Sequence, residues 1–461
     1  MSSNKVTRRD FIKTSFLAAG ATALAACTPA AAPVATAAPV TANVPAATAG
    51  VAATTAPAAV AASTAKTDIH FLNELVGSKE DGRTYLLAAF NAANDQINVN
   101  HEGYGGADVV DQKFLTALSG GVVPDLFHNE ANYIPGYAEM DALTDLGPYL
   151  DASTRIKKSD IDPHPLELCT YNGKVYGIPI WQETTMLYYN KDVMAAAGLD
   201  PEKPPRDWAS LRDAAAKVVK RDSAGKLLIA GLVQDDWTII RTFQAALYSW
   251  GGTLLSADGT KSAFNSPEGK EALQTLVDMI VKDKLGDVAW GGELEGTPDE
   301  PFCAGKQGFK FDVAAAAKRF AKNAPNFVNW GVVSLPAGPK GFKEVSRPPA
   351  LMIPKSAKNP DQAWRVIEYW LDTKVELRWA LDILRAPTTL SSQADPALAN
   401  SKVITALTET LKNTTDTPKT RHWAEMIDTL AAEALNALTG TKTAAQALDD
   451  AAAQLDTVLN T

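Results

Sequence analysis

Four short runs in this chain gather carboxylates and amides, three of them with an aromatic ring alongside. They are Asn73-Glu74, His128-Asn129-Glu130-Ala131-Asn132-Tyr133, Trp181-Gln182-Glu183 and Gln234-Asp235-Asp236-Trp237. Such a mixture suits a sugar. The faces of a sugar ring carry C–H groups that pack on Trp or Tyr, and its hydroxyl edge needs directional donors and acceptors. Each run also has a plainer reading. Asp235 or Asp236 can cap a following helix, Trp181 can be packing, and 128–133 can be a solvated loop. Asn73, Glu74, Asn129, Glu130 and Tyr133 follow apolar strand-like runs, and polar residues at strand carboxyl ends belong to the crevice of an open α/β sheet. Trp290, Asp312, Arg347, Arg385 and Trp423 are further binding candidates. Trp250, Trp330, Trp364, Trp370 and Trp379 read as structural.

Catalytic and cofactor patterns are missing from the sequence. There is no GxSxG, HExxH or CxxC, and the five histidines are scattered. Gly103-Tyr104-Gly105-Gly106 lacks the Lys-Ser/Thr of a phosphate-binding P-loop. No cofactor and no metal are expected. Glu183 with Asp235 or Glu130 can imitate the paired carboxylates of a glycosidase, which keeps an exported glycosidase as a minor alternative.

The elements that must position these residues follow a strand–helix rhythm. Asp68–Leu72, Ile97–His101 and Pro124–Phe127 read as strands, separated by helices over Arg83–Ala93 and Val110–Leu118. That is the βαβ pattern of a parallel sheet. Tyr176–Ile180, Leu227–Val233 and Val332–Leu335 read as later strands. Helices are expected over Ala209–Val219, Ile239–Trp250, Lys270–Val281, Ala314–Lys322 and Thr443–Leu459.

Ahead of this body stands Thr7-Arg8-Arg9-Asp10-Phe11-Ile12-Lys13, then an apolar stretch ending Leu24-Ala25-Ala26-Cys27. Arg8 and Arg9 read as a twin-arginine export signal. The stretch is too short to span a bilayer comfortably. Ala25-Ala26-Cys27 resembles a bacterial lipobox, with Cys27 as the lipidated residue. Residues 27–66, almost all Ala, Pro, Thr and Val, read as a partly extended linker. The protein is thus expected outside the cytoplasm, in the periplasm or at the cell surface, anchored to a membrane by lipid. The net charge is −9, and removal of residues 1–26 takes it to about −12, which argues against nucleic acid as a partner. Cys169 and Cys303 can form one disulfide, or stay as two small apolar side chains, the reading preferred here.

Tyr171-Asn172-Gly173-Lys174-Val175-Tyr176-Gly177-Ile178-Pro179-Ile180 is followed by Leu187-Tyr188-Tyr189-Asn190-Lys191-Asp192, Ala197-Gly198-Leu199 and Trp208. With Pro124-Asp125-Leu126-Phe127, Phe264-Asn265-Ser266-Pro267-Glu268-Gly269, Phe302-Cys303-Ala304-Gly305-Lys306 and Ile353-Pro354-Lys355-Ser356, this resembles the maltose-binding-like extracellular solute-binding proteins (family 1) of ABC importers. One departure is Gln307-Gly308-Phe309-Lys310-Phe311-Asp312-Val313, where that family usually carries a small-Met pair and often a Trp. Maltose-type specificity is therefore not carried over. The resemblance implies an α/β, two-lobed periplasmic-binding-protein fold (type II) with a hinge and an interlobe ligand cleft. It implies an N-terminal lobe over 67–182 plus 351–386 and a C-terminal lobe over 186–345 plus 390–461. Crossings fall near Gln182–Thr185, Ser346–Ala350 and Ala386–Leu390. It places a sugar-binding carboxylate at Glu183, and an acid and a stacking aromatic at Asp235 and Trp237. The implied partners are a sugar or oligosaccharide and the permease subunits of an ABC transporter, with the protein a monomer and not an enzyme. The same role for a glycerol phosphoester, an organic anion or a polyamine is the alternative.

Overall fold

The computed structural model describes residues 66–74 and 82–460. Arg8, Arg9, Cys27 and the Ala/Pro/Thr-rich segment lie outside the described residues, apart from Lys66 at the segment's end.

The chain first lays down β1 (Thr67–Glu74), β2 (Ile97–Tyr104), β3 (Leu126–Glu130) and β4 (Ile178–Pro179). It then builds β5 (Thr185–Asn190), β6 (Lys220–Arg221), β7 (Leu227–Leu232), β8 (Gln307–Val313) and β9 (Trp330–Ser334), before returning to β10 (Pro349–Met352). Two five-stranded sheets result, in the orders β2-β1-β3-β10-β4 and β9-β5-β8-β7-β6. The expected parallel βαβ start is present: β1 runs parallel to β2 and β3. β10 then enters antiparallel to both β3 and β4. The second sheet corrects the expectation of a continuing parallel rhythm, because β5 is antiparallel to β8 and to β9, and β8 and β7 are its parallel pair.

Both sheets are buried on two faces, which explains their near-continuous apolar strands. Ile69 and Phe71 of β1 face a core containing Trp370 and Trp379, while Leu72 and Phe127 face Val110, Phe114 and Tyr137. All six residues of β5 are buried: Leu187 and Tyr189 pack to one side, Met186 and Tyr188 to the other. The second core is completed late in the sequence by Trp423–Leu438 and Ala444–Val458, with Met426, Leu430, Ala447, Leu448 and Leu455 inside it.

Several local expectations are corrected. The strand expected to end at Phe127 runs on through Glu130. The strand expected over 176–180 is only the two-residue β4, preceded by a separate short strand at Lys174–Val175. Between them Gly177 passes so close to Ala350 and Ile134 that a Cβ would sit 2.9 and 3.0 Å from their side chains. The helix expected to reach Val281 changes at Asp278 to a wider π turn. Cys169 and Cys303 are free thiols, Cys169 fully buried.

The chain leaves the first sheet after β4, returns between Val345 and Pro349, and crosses a third time beyond the helix Thr373–Ile383. The first and third crossings lie side by side: the Gln182 N–H donates to Ala386 O at 2.8 Å, and the Ala386 N–H to Gln182 O at 3.3 Å. Pro349 and Ala350 already pair with Glu130 and Asn129, so the second crossing is shorter than expected. Among the described residues no helix is long and apolar enough to cross a membrane.

Candidate functional site

The carboxyl ends of parallel β1 and β3 open toward the second sheet, at the position where ligands sit in open α/β sheets. Facing them is the helix Asp236–Trp250, the cleft helix. Asp235 caps it: its Oδ1 accepts from the Thr238 N–H at 2.7 Å, and Thr238 Oγ1 accepts from the Asp235 N–H at 2.9 Å. Gly251 ends it in the left-handed conformation, φ 94°, which glycine adopts without strain. A helix fixed at both ends holds its side chains in a defined row. Trp237, Arg241, Gln244 and Tyr248 are spaced to share one face.

Trp237 is 41% exposed, the only tryptophan among the exposed large apolar residues described. The Arg241 guanidinium lies 4.5 Å from its ring centroid. Arg241 Nη2 also reaches Glu130 Oε1, 3.5 Å away at the end of β3. Glu130 Oε2 accepts from Asn132 Nδ2 at 3.4 Å, and Asn132 Oδ1 accepts from Thr417 Oγ1 at 3.2 Å. An aromatic ring, a cation and a carboxylate thus form a stack bridging the two halves.

Beside this stack runs the second crossing, Glu344-Val345-Ser346-Arg347. Its start is held by parallel pairing of Glu344 and Val345 with Thr414 and Thr415. Its end is held by the Pro348 carbonyl, which accepts from the Ala131 N–H at 3.0 Å. Here buried polar atoms lack hydrogen-bond partners: Arg347 Nε, Glu344 Oε2, Ser346 Oγ, and both amide atoms of Gln244 on the facing helix. Native interiors leave few such groups, and each calls for an explanation. Burial pushes the Glu344 carboxyl up to about 8, against the pull of the Val345 N–H, Arg347 and Arg241. Burial and then the neighbouring Arg241 hold Arg347 down at about 10, although Glu130, Glu344 and Tyr248 favour its charge.

A pocket of about 330 Å³ is lined by Tyr133, Tyr137 and Asp111 from one half and Arg421, His422 and Trp423 from the other. Burial raises the Tyr133 hydroxyl, with Glu130 and Asp111 adding to the effect, so it stays a neutral donor at any physiological pH.

The structure therefore links Trp237 to Glu130 through Arg241, with Arg347 near enough to feel both charges, and sets Tyr133 and Trp423 on the wall of one pocket. Glu183 and Arg385 form an ion pair where the first and third crossings meet. Asn73 and Glu74, expected to follow the first strand, are instead its last two residues. Asn73 is fully buried with its Nδ2 3.4 Å from His101 Nδ1, and the Glu74 N–H donates to His128 Nδ1 at 3.3 Å. Other placements correct the expectation. Asn129, read as a loop ligand, is a fully buried strand residue whose Nδ2 donates to Tyr137 Oη at 2.9 Å. Trp181 offers no open stacking face: it is 6% exposed, edge-on to Trp379 with centroids 4.9 Å apart and 5.1 Å from His128. Asp235 is engaged as a cap. Asp312 belongs to a buried ion network with Arg319 at 2.6 Å and Lys310 at 3.6 Å. Trp290 borders a separate cavity of about 30 Å³ shared with Asp235 and Glu295. Trp423 lines the 330 Å³ pocket and is otherwise core, 4% exposed.

Sequence reasoning missed Arg241, Gln244, Tyr248, Glu344 and Ser346. The 237-241-244-248 spacing was a legible signal for the first three, because it sets polar residues on one face of a helix expected to be core. Among the described residues there is no cluster of His, Cys, Asp or Glu that could hold a metal ion.

The family described as bacterial extracellular solute-binding protein matches residues 85–406. A Brucella abortus protein, named for a binding role only in provisional terms, is 25% identical over 374 residues, 80% of this chain and 88% of that one. A lipoprotein of Streptomyces antibioticus is 24% identical over 326 residues, 69% of each chain. An ABC transporter solute-binding protein of Thermotoga lettingae, solved with α-D-tagatose bound, superposes with a TM-score of 0.75 at 23% identity, covering 86% of this chain and 100% of that one. That likeness establishes the two-lobed fold.

Proposed function

This chain belongs to the bacterial extracellular solute-binding protein family, and we propose that it captures a sugar or oligosaccharide between its two lobes and delivers it to an ABC permease. The observation that carries this reading is the Trp237–Arg241–Glu130 stack. It joins an exposed aromatic face to paired polar groups across the gap between the sheets. A sugar needs a flat apolar surface and a ring of directed hydrogen bonds in one place, and Tyr133 and Asn132 extend both. The lobes of this reading are the two sheets with their helices. Closure turns about the three crossings, a hinge motion around bound solute. Binding, rather than hydrolysis, also suits the carboxylates, since Glu130 and Glu183 are each engaged by an arginine.

The test is thermal unfolding against neutral mono-, di- and trisaccharides. A ligand that binds only the native state raises the midpoint by mass action. A rise with one sugar class, saturating with concentration, is expected. A flat response to every sugar, with a rise for polyamines instead, removes the sugar reading and leaves the family intact.

The export signal and lipid anchor belong to the same reading. Cys27→Ser should move the protein from the membrane fraction to the soluble extracytoplasmic fraction with ligand affinity unchanged. Retention on membranes sinks the anchor.

A further inference from the structure

Arg347 is 8% exposed, and its Nε is buried without a hydrogen-bond partner among the described residues. A guanidinium carries five N–H donors in a planar fork matched to carboxylate and phosphate. Burying such a group without an acceptor is unfavourable unless something completes it. The surroundings do not complete it. Arg241 is close enough to repel it, and Arg241's own counter-ion is Glu130. Glu344, the other acid present, makes no ion pair within 4.0 Å, and its Oε1 accepts from the Val345 N–H. Burial keeps that carboxyl largely protonated at neutral pH. The site therefore sets two guanidinium groups against one ion-paired carboxylate, Glu130. Ser346 Oγ and the Gln244 amide, both fully buried and without partners, add neutral donors.

From this excess of unanswered donors beside an exposed Trp237 we infer that the captured sugar bears an oxyanion, a carboxylate or a phosphate. Arg347 binds that group, with Arg241 flanking it and the sugar face on Trp237. The inference rests on the sugar-capture reading and narrows it. It also separates two roles for Arg347. A structural arginine supports the fold when no ligand is bound, whereas an arginine reserved for an anion burdens the ligand-free fold.

Calorimetry on the full chain with matched pairs tests it: cellobiose against cellobiouronic acid, and glucose against glucose 6-phosphate. The acidic member of one pair should bind at least about tenfold tighter than its neutral partner, as expected for a charge-assisted bidentate contact. The pair that responds identifies carboxylate or phosphate as the group. Arg347→Gln should erase the preference while leaving the ligand-free melting midpoint at or above the parent's, and Arg347→Lys should keep part of the preference. Equal binding of both members by the parent protein overturns the inference while sugar capture stands. So does a preference that survives in Arg347→Gln, or a lowered midpoint in that variant. Binding of no member of either pair, while a neutral saccharide of the thermal panel binds, overturns the inference and leaves sugar capture standing.

Discussion

Arg241 and Glu130 belong to different halves, one on the cleft helix and one at the end of β3, and meet at 3.5 Å. Each is mostly buried, at 15% and 17% side-chain exposure. The pair is thus a contact that exists only while the halves are together. Arg241→Ala removes the tie and also the cation stacked on Trp237. The ligand-free protein should then sample a more open form, seen as a larger radius of gyration in X-ray scattering. Ligand affinity should fall by about 10–100-fold, the range for truncating a buried charged anchor. An unchanged radius together with unchanged affinity removes the pair from the closing mechanism.

Trp237→Ala tests the stacking face separately. The ring is 41% exposed, so its loss from the unliganded fold should be nearly silent in thermal unfolding. Binding should weaken by about 2 kcal/mol, roughly thirtyfold, as for an aromatic anchor at the centre of an interface. Trp181→Ala should do the reverse. Its ring is packed on Trp379, so stability should drop by about 3–5 kcal/mol through loss of core.

Glu344 makes stability depend on pH. Its folded value stands at about 8 against 4.5 for the ordinary carboxyl. Between those values the native protein holds a proton that the unfolded chain has released. The native state is favoured at the acid end, and stability declines as pH rises, by up to about 1.4 kcal/mol per unit, levelling off above 8. Urea unfolding at pH 5, 6, 7 and 8 should show this decline in the parent and a flatter profile in Glu344→Gln. Identical slopes would mean that Glu344 is ionised in the fold.

Glu376 anchors the third crossing. It is 1% exposed and its Oε1 accepts from the Thr388 N–H at 2.6 Å and from Thr388 Oγ1 at 2.8 Å. Its Oε2 accepts from Thr389 Oγ1. Thr388 Oγ1 also lies 2.9 Å from the Pro179 carbonyl at the end of β4. Glu376→Ala leaves buried donors unanswered and should destabilise by about 3–5 kcal/mol. Glu376→Gln, which keeps one acceptor, should lose less. Urea midpoints of the three proteins check the order.

Much of the scaffold was legible in the chain. The first strands and helices show their period directly: Ile69 and Phe71 alternate on β1, and Phe114 lies at helical spacing from Val110. The pairing of β10 was not legible in its own residues, because a four-residue apolar strand carries no sign of its neighbours or its direction; only the resemblance put 351–386 in the first lobe. At the site, residue type and strand-end position singled out Glu130, Tyr133 and Trp237, whose part in binding belongs to the function proposed above. They misjudged Asn129 and Trp181, whose surroundings come from Tyr137 and Trp379, eight and 198 positions away. Glu344 and Ser346 gave no local signal, since what distinguishes them is burial without partners, a property of the assembled fold alone.

The position of β10 also governs how the molecule is made. The first sheet cannot join β3 to β4 until residue 352 has been synthesised, and its core waits further for Trp370 and Trp379. The second sheet's core waits for Leu455. Each half is thus threaded through the other in sequence, and neither can be obtained whole by cutting the chain once. Such long-range closure makes for slow folding. It means that a nascent chain carries both incomplete cores together until Trp379 has been made, and the second core until Leu455, when exposed apolar surface most needs shielding.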